Sequence, residues 1–451
     1  MAFSESTPAA ARLRLVVALA AAVVLLAGVA TVIARSSDSS SGATAAQAAD
    51  TTTTAPPEPT TSSPPVVPAS DEPAAIREIR EQVARIRGLE WKTPLRIQVV
   101  SHAELVRRIR EVNARDIDPV RQAGEGETLK LLHVIPQNMD YASALDDLYS
   151  TLVLGFYDPI TKEMFVRDSG GEELEAQTKM TIAHELNHAL TDQHFDFGSR
   201  LDRLEDAGRD EEAYAFVALI EGDARYVDQQ WQAAHLSEEE QLAILFGGVD
   251  PSAVAEIPPF LLNTLTFPYE DGTEFVAEQV DTGGFAKLNQ QYGSPPTSTE
   301  HILHPEVYAA GQGWSPPALP DLAAATGCTA VHEGTIGEFQ MSQVLGSQIG
   351  PDEGRGAAEG WNGDAFQVVR CGAARGMVDR WQADNQAEAA EYAAALGEWA
   401  QGWAEGGNTP GPDGRFAGRA GAGRIVHRGT TVDLVLAGDQ ATADRISAVV
   451  G

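Results

Sequence analysis

The chain has 451 residues, enough for one large or two moderate domains, and carries 32 Lys+Arg against 65 Asp+Glu, a net charge of −33. That balance argues against non-specific binding to nucleic acid or to anionic lipid, both of which need a basic surface. The two cysteines, Cys328 and Cys371, lack the paired spacing of a zinc ribbon. A disulfide is the natural reading outside the cytoplasm, and two buried thiols are the alternative.

In chain order, residues 1–14 form a short N-terminus containing Arg12 and Arg14, followed by 20 uncharged residues from Leu15 to Ala34. That length matches a membrane-spanning helix, and the preceding positive charge puts the N-terminus in the cytoplasm and the rest outside. An uncleaved signal anchor is the expectation, with a cleaved signal peptide as the alternative. Residues 35–73 are Ser, Thr, Ala and Pro with almost no large apolar content, so they read as a disordered stalk spanning about 100 Å if extended.

The folded body is expected to begin near Pro73. Ile76, Ile79, Val83 and Ile86 recur at helical spacing over 74–87, and 95–100 alternates as a strand. Helical pattern returns over 102–115 and 141–151, whereas 129–135 is ambiguous. Two apolar runs around Asp158-Pro159-Ile160-Thr161 read as a hairpin over 152–167, directly before the longest motif-bearing helix. Extended peptides commonly add to such sheet edges.

That helix contains HExxH: His184, Glu185, Leu186, Asn187 and His188. Residues four apart share a helix face, so both imidazoles can reach one ion, and Glu185 can reach a water beside it. Ser169 is its expected N-cap, with Glu172, Glu173 and Glu175 against the positive helix end. A catalytic zinc takes three protein ligands and keeps one position open. Glu221 is the preferred third ligand, because it is a carboxylate inside an apolar helix over 211–234. Gly222 beside it would permit close helix approach. Glu205, in a polar stretch expected to be a loop or short helix, is the rival. Asp192 is a candidate to orient a histidine, and Glu300 and His304, in a Pro-bounded segment, are candidates to line a cleft. His194 and His304 are the candidates for a fourth protein ligand.

Further on, helices are expected at 237–246, 260–269, 272–282, 335–349 and 387–403, and a short one at 442–450. Strands are expected at 365–370, 377–382, 424–427 and 431–436. Residues 350–364, ending GWNGD, read as a Gly-rich turn in which Asp364 is a turn residue.

HELNHALTDQHF followed by a helical ALIEGDA resembles the gluzincin type of HExxH zinc metallopeptidase. More closely, the pair is similar to membrane-anchored bacterial HExxH proteins, and PPTSTEHILHPEVY and GWNGD also resemble segments of those proteins. The resemblance covers roughly residues 75–400. It implies zinc held by His184, His188 and Glu221, with Glu185 as general base. His301 stands where that family's segment would carry Gln.

The expectation is an α+β fold: a mainly helical zincin-like body over 74–405, with a small sheet and a hairpin before the HExxH helix, and a small β/α extension over 406–451. The expected function is that of a membrane-anchored, extracytoplasmic zinc peptidase acting on peptide or protein substrates. The alternatives are a binding protein with a structural or lapsed zinc site and a zinc amidase acting on cell-wall peptides.

Overall fold

The computed structural model describes residues 72–168, 174–246 and 255–451. The expected anchor, the stalk and Ser169 lie outside them, and Ser169 is not the N-cap expected of the HExxH helix, which begins at Ala176 with Glu175 in the extended N-cap position. No helix among the described residues is long and apolar enough to cross a membrane.

The fold is α+β, with two sheets among many helices. The smaller sheet contains β1 (Arg96–Val100), β2 (Gly155–Asp158) and β3 (Glu163–Arg167) in the order β1-β3-β2. β1 runs parallel to β3, and β2 and β3 form the expected antiparallel hairpin. Asp158 fixes its turn by accepting from the Ile160 N–H at 2.9 Å, and Lys162 takes the left-handed conformation that closes the link.

The HExxH helix spans Ala176–Phe195 and packs against β2, β3 and the helices Ala74–Arg87 and Asp210–His235. Every residue from Met180 to Asp192 is buried. A helix covered all round needs no single apolar stripe, and its polar residues must find partners inside the protein. It ends at Asp196, whose left-handed backbone (φ 48°) turns the chain into a second helix, Phe197–Asp206.

The helix Asp210–His235, which bears Glu221, crosses Asp271–Gln291 very closely. A Cβ on Gly222 would lie 2.2 Å from the Gly272 oxygen, and one on Gly272 would lie 2.3 Å from the Ala218 oxygen. The close approach expected at Gly222 is therefore present. A buried polar tie fixes the same helices: Asp223 accepts from Arg87 Nε (2.9 Å), Asn187 Nδ2 (3.3 Å) and Tyr292 Oη (2.7 Å). Arg87 and Asp223 are both fully buried.

The larger sheet contains β4 (Thr329–Gly334), β5 (Trp361–Cys371), β6 (Ala374–Ala383), β7 (Arg415–Ala417), β8 (Ala422–Arg428) and β9 (Thr431–Ala437). Their order is β4-β5-β6-β9-β8-β7. The boundary expected at 405/406 cuts through this sheet and is corrected by it: β9 pairs with β6 from Gly376↔Ala437 to Gln382↔Thr431. Helices Gly337–Ile349 and Gln386–Trp403 cover one face around Trp361, Trp381, Trp399 and Trp403. Helix Gln440–Val450 covers the other face through Ile446 and Val450 against Val369, Val378 and Val435. Cys328 and Cys371 are disulfide-bonded, joining the entry of β4 to the end of β5.

Candidate metal centre

HExxH geometry on a regular helix puts His184 and His188 on one face, and the crossing helix brings Glu221 against them. His184 Nε2 lies 3.1 Å from Glu221 Oε2 and 3.1 Å from His188 Nε2, and His188 Nε2 lies 3.2 Å from Glu221 Oε2. All three residues are buried, and they are the only group of potential ligands gathered in this way among the described residues. Atoms held about 2.0–2.1 Å from one zinc ion at tetrahedral angles would be about 3.3–3.4 Å apart. The near-equilateral triangle therefore has close to the dimensions of one face of a zinc tetrahedron, and two imidazoles with one carboxylate are a donor set that zinc accepts.

The electrostatics agree with that geometry. Burial alone would favour a neutral His184 ring, but its bonds to Asp228 and Glu221 outweigh burial and raise the pKa to about 10. Burial also works against the Glu221 carboxylate, yet His188 and His184 hold it down at about 2. The buried cluster thus favours positive charge on the His184 imidazole and negative charge on the Glu221 carboxylate.

Glu185 lies beside the triangle. Its Oε2 accepts the outward N–H of Tyr157, on edge strand β2, at 2.8 Å. Its Oε1 is buried without a hydrogen-bond partner among the described residues. Burial pushes the carboxyl up to about 7, against the pull of His188 and His184. The strand fixes one oxygen and leaves the other without a partner among the described residues.

Three participants were not anticipated from the sequence. Asp228 Oδ2 lies 2.8 Å from His184 Nδ1, and Arg225 (2.7 Å) and Gln232 (2.9 Å) hold its other oxygen. The available signal was spacing, since Asp228 follows Glu221 by two helical turns on the same face. Tyr269 stacks on His184 with ring centroids 6.0 Å apart, and its hydroxyl hydrogen-bonds Glu221. The Tyr157 N–H is a backbone group and leaves no side-chain signal.

The remaining candidates lie elsewhere. Asp192 does not orient a histidine; it accepts from Tyr157 Oη (2.7 Å), Lys162 Nζ (2.5 Å) and the Gly198 N–H (3.2 Å), and so pins the hairpin to the helix. Glu205 belongs to the second helix and lines a separate cavity, away from the triangle. His194 Nε2 meets the Glu90 oxygen at 2.7 Å. His304 Nε2 meets Glu338 at 2.8 Å, and Glu300, raised to about 8 by burial and by Glu338, belongs to the same junction. His301 bridges the Thr297 N–H (3.2 Å) and the Gln312 oxygen (2.8 Å) and holds a loop. Asp364 is more than a turn residue: it accepts from the Ile336 and Gly337 N–H groups and from Trp361 Nε1.

A family described as a domain of unknown function (DUF8575) matches residues 326–447, the stretch that forms the six-stranded sheet, and not the metal centre. No curated protein and no solved structure matches the chain.

Proposed function

We propose that the protein is a zinc-dependent peptidase. The observation that carries the reading is the His184–His188–Glu221 triangle with the unpartnered Glu185 Oε1 beside it. A zinc ion held there would acidify a water and polarise a carbonyl. Glu185 Oε1 would accept the proton from the attacking water and return it to the leaving amine. Asp228 would hold the His184 ring in the orientation that presents Nε2, a positioning task.

A structural zinc would fill all four positions with protein ligands. The two fourth-ligand candidates, His194 and His304, are engaged with Glu90 and Glu338 instead. That supports catalysis over a purely structural ion. The Cys328–Cys371 disulfide supports an extracytoplasmic body, in keeping with the proposed anchor at 15–34.

The test is hydrolysis by the zinc-loaded full chain of casein and, separately, of purified peptidoglycan. Release of peptides from casein is expected, and Glu185→Gln should lower the rate by about a thousandfold or more while zinc content stays unchanged. Cleavage of peptidoglycan alone would replace the peptidase with a cell-wall amidase. Undiminished activity in Glu185→Gln would remove Glu185 from the mechanism.

A further inference from the structure

Between the metal-bearing helices and the six-stranded sheet lies a cavity of about 140 Å³. A cavity of about 150 Å³ is large enough to bind benzene. Leu129, Leu132, Phe260, Leu261, Leu265 and Val344 give it apolar walls. Carboxyl groups outnumber cations among the lining groups whose partners are described: Glu125, Asp210 and Glu211 line the cavity, with Arg121 as the cation among them.

Arg121 pairs with Asp210 through its Nη2, and its Nε is buried without a hydrogen-bond partner among the described residues. Glu211 is already satisfied by the N–H and hydroxyl of Thr299, at 2.6 and 2.7 Å. Glu125 is left with a hydrogen bond from Tyr141 and the more distant charge of Arg121, so burial raises its carboxyl to about 7. His332 adds no charge, because burial and Arg121 bring its pKa to about 4 and its Nδ1 lies 2.8 Å from Thr128 Oγ1. Two further acceptors on the lining, Asp210 Oδ1 and Thr264 Oγ1, are buried without hydrogen-bond partners among the described residues.

We propose that this cavity is a binding pocket for an organic ammonium group on a compact apolar body, the chemistry shared by a substrate's lysine side chain and a free alkylamine. An anion would meet the carboxylates at close range in a low dielectric. A neutral hydrocarbon would fill the walls but leave Glu125 uncompensated. An ammonium group brings three donors and one positive charge, matching Glu125, Asp210 Oδ1 and Thr264 Oγ1. Two tyrosines stand between the pocket and the His184–His188–Glu221 triangle. Tyr149 lines the pocket and packs with Met180 and Tyr269, and Tyr269 stacks on His184. The lysine form of the proposal rests on the peptidase reading, whereas the pocket itself does not.

The test is calorimetric titration of the full chain with benzylammonium and with its neutral counterpart, benzyl alcohol. This requires neither zinc nor turnover, so its failure and the failure of the peptidase reading are separate results. Benzylammonium is expected to bind about tenfold or more tightly than benzyl alcohol, the preference of a charge-assisted hydrogen bond. Glu125→Gln should bring the two to near equality while keeping the cavity volume. Equal affinities in the unaltered protein, or no saturable binding of benzylammonium, would overturn the proposal. Displacement of benzylammonium by a lysine-containing pentapeptide, but not by its norleucine analogue, would assign the pocket to a substrate side chain. Failure of the lysine peptide to displace it would overturn that assignment in favour of a free amine.

Discussion

At the scale of single residues, the metal centre divides ligand from support in a way that substitution can read. Asp228 touches only His184 Nδ1 within the triangle, while Glu221 Oε2 is one of its corners. Asp228→Asn is therefore expected to lower zinc affinity by about 10- to 100-fold without abolishing it. Glu205→Ala, whose carboxylate lies outside the triangle, should leave zinc affinity unchanged. Competition with a chromophoric chelator measures both, and the reverse order of effects would make Glu205 the ligand. His184, Glu185 and His188 were legible because HExxH encodes its geometry in a helical spacing. Glu221 was legible because a carboxylate in an apolar helix demands a cation. Asp192 misled because its sequence position, one turn beyond His188, says nothing of Tyr157 and Lys162, which reach it from the hairpin.

At the scale of elements, the helix pair carrying the ligands is held by backbone contact at Gly222 and Gly272. Gly222→Ala should therefore destabilise the protein by about 1–3 kcal/mol or more, since the added methyl must push the helices apart. Urea unfolding measures this, and an unchanged midpoint would show that the helices can separate freely. The helices 74–87 and 102–116 and the hairpin were legible from periodicity and turn chemistry, because each has one clear face or one clear turn. Two of the elements missed show the physical reason. β4, TAVHEG, is a sheet edge with no fully buried position, so its sequence lacks alternation. Helix Pro351–Ala358 contains Gly354, which reads as a turn but is required because a Cβ there would lie 2.4 Å from the Gly346 nitrogen. The β6–β9 pairing was equally hidden: it joins strands separated by a helix, and no local signal marks it.

At the scale of the whole molecule, the junction between the helices of the His184–His188–Glu221 triangle and the six-stranded unit holds groups whose pKa values are raised. Glu211 rises to about 8 through burial, opposed by its bonds to Thr299. Glu300 rises to about 8 through burial and the neighbouring Glu338, and His304 rises to about 9 through its bond to Glu338. In each case the folded pKa lies above the unfolded one, so the folded protein binds more protons than the unfolded chain. Their stabilising contribution is complete below the unfolded values, about 4.3 for Glu and 6.5 for His, and is lost as pH climbs through about 8 to 9. Self-repulsion from a net charge of −33 acts in the same direction. The melting temperature of the zinc-loaded chain is therefore expected to fall by several degrees between about pH 6 and pH 9. An unchanged or rising Tm over that interval would contradict raised pKa values at the junction. The whole account depends most directly on what His184, His188 and Glu221 hold. X-ray absorption at the zinc edge, on full-length protein purified without chelator, measures it. The expected result is about one zinc per chain bound by two imidazole nitrogens and light oxygen donors at about 2.0–2.1 Å, with the imidazole signal lost in His184→Ala/His188→Ala. Protein without zinc, or zinc whose imidazole signal survives that double substitution, would contradict it.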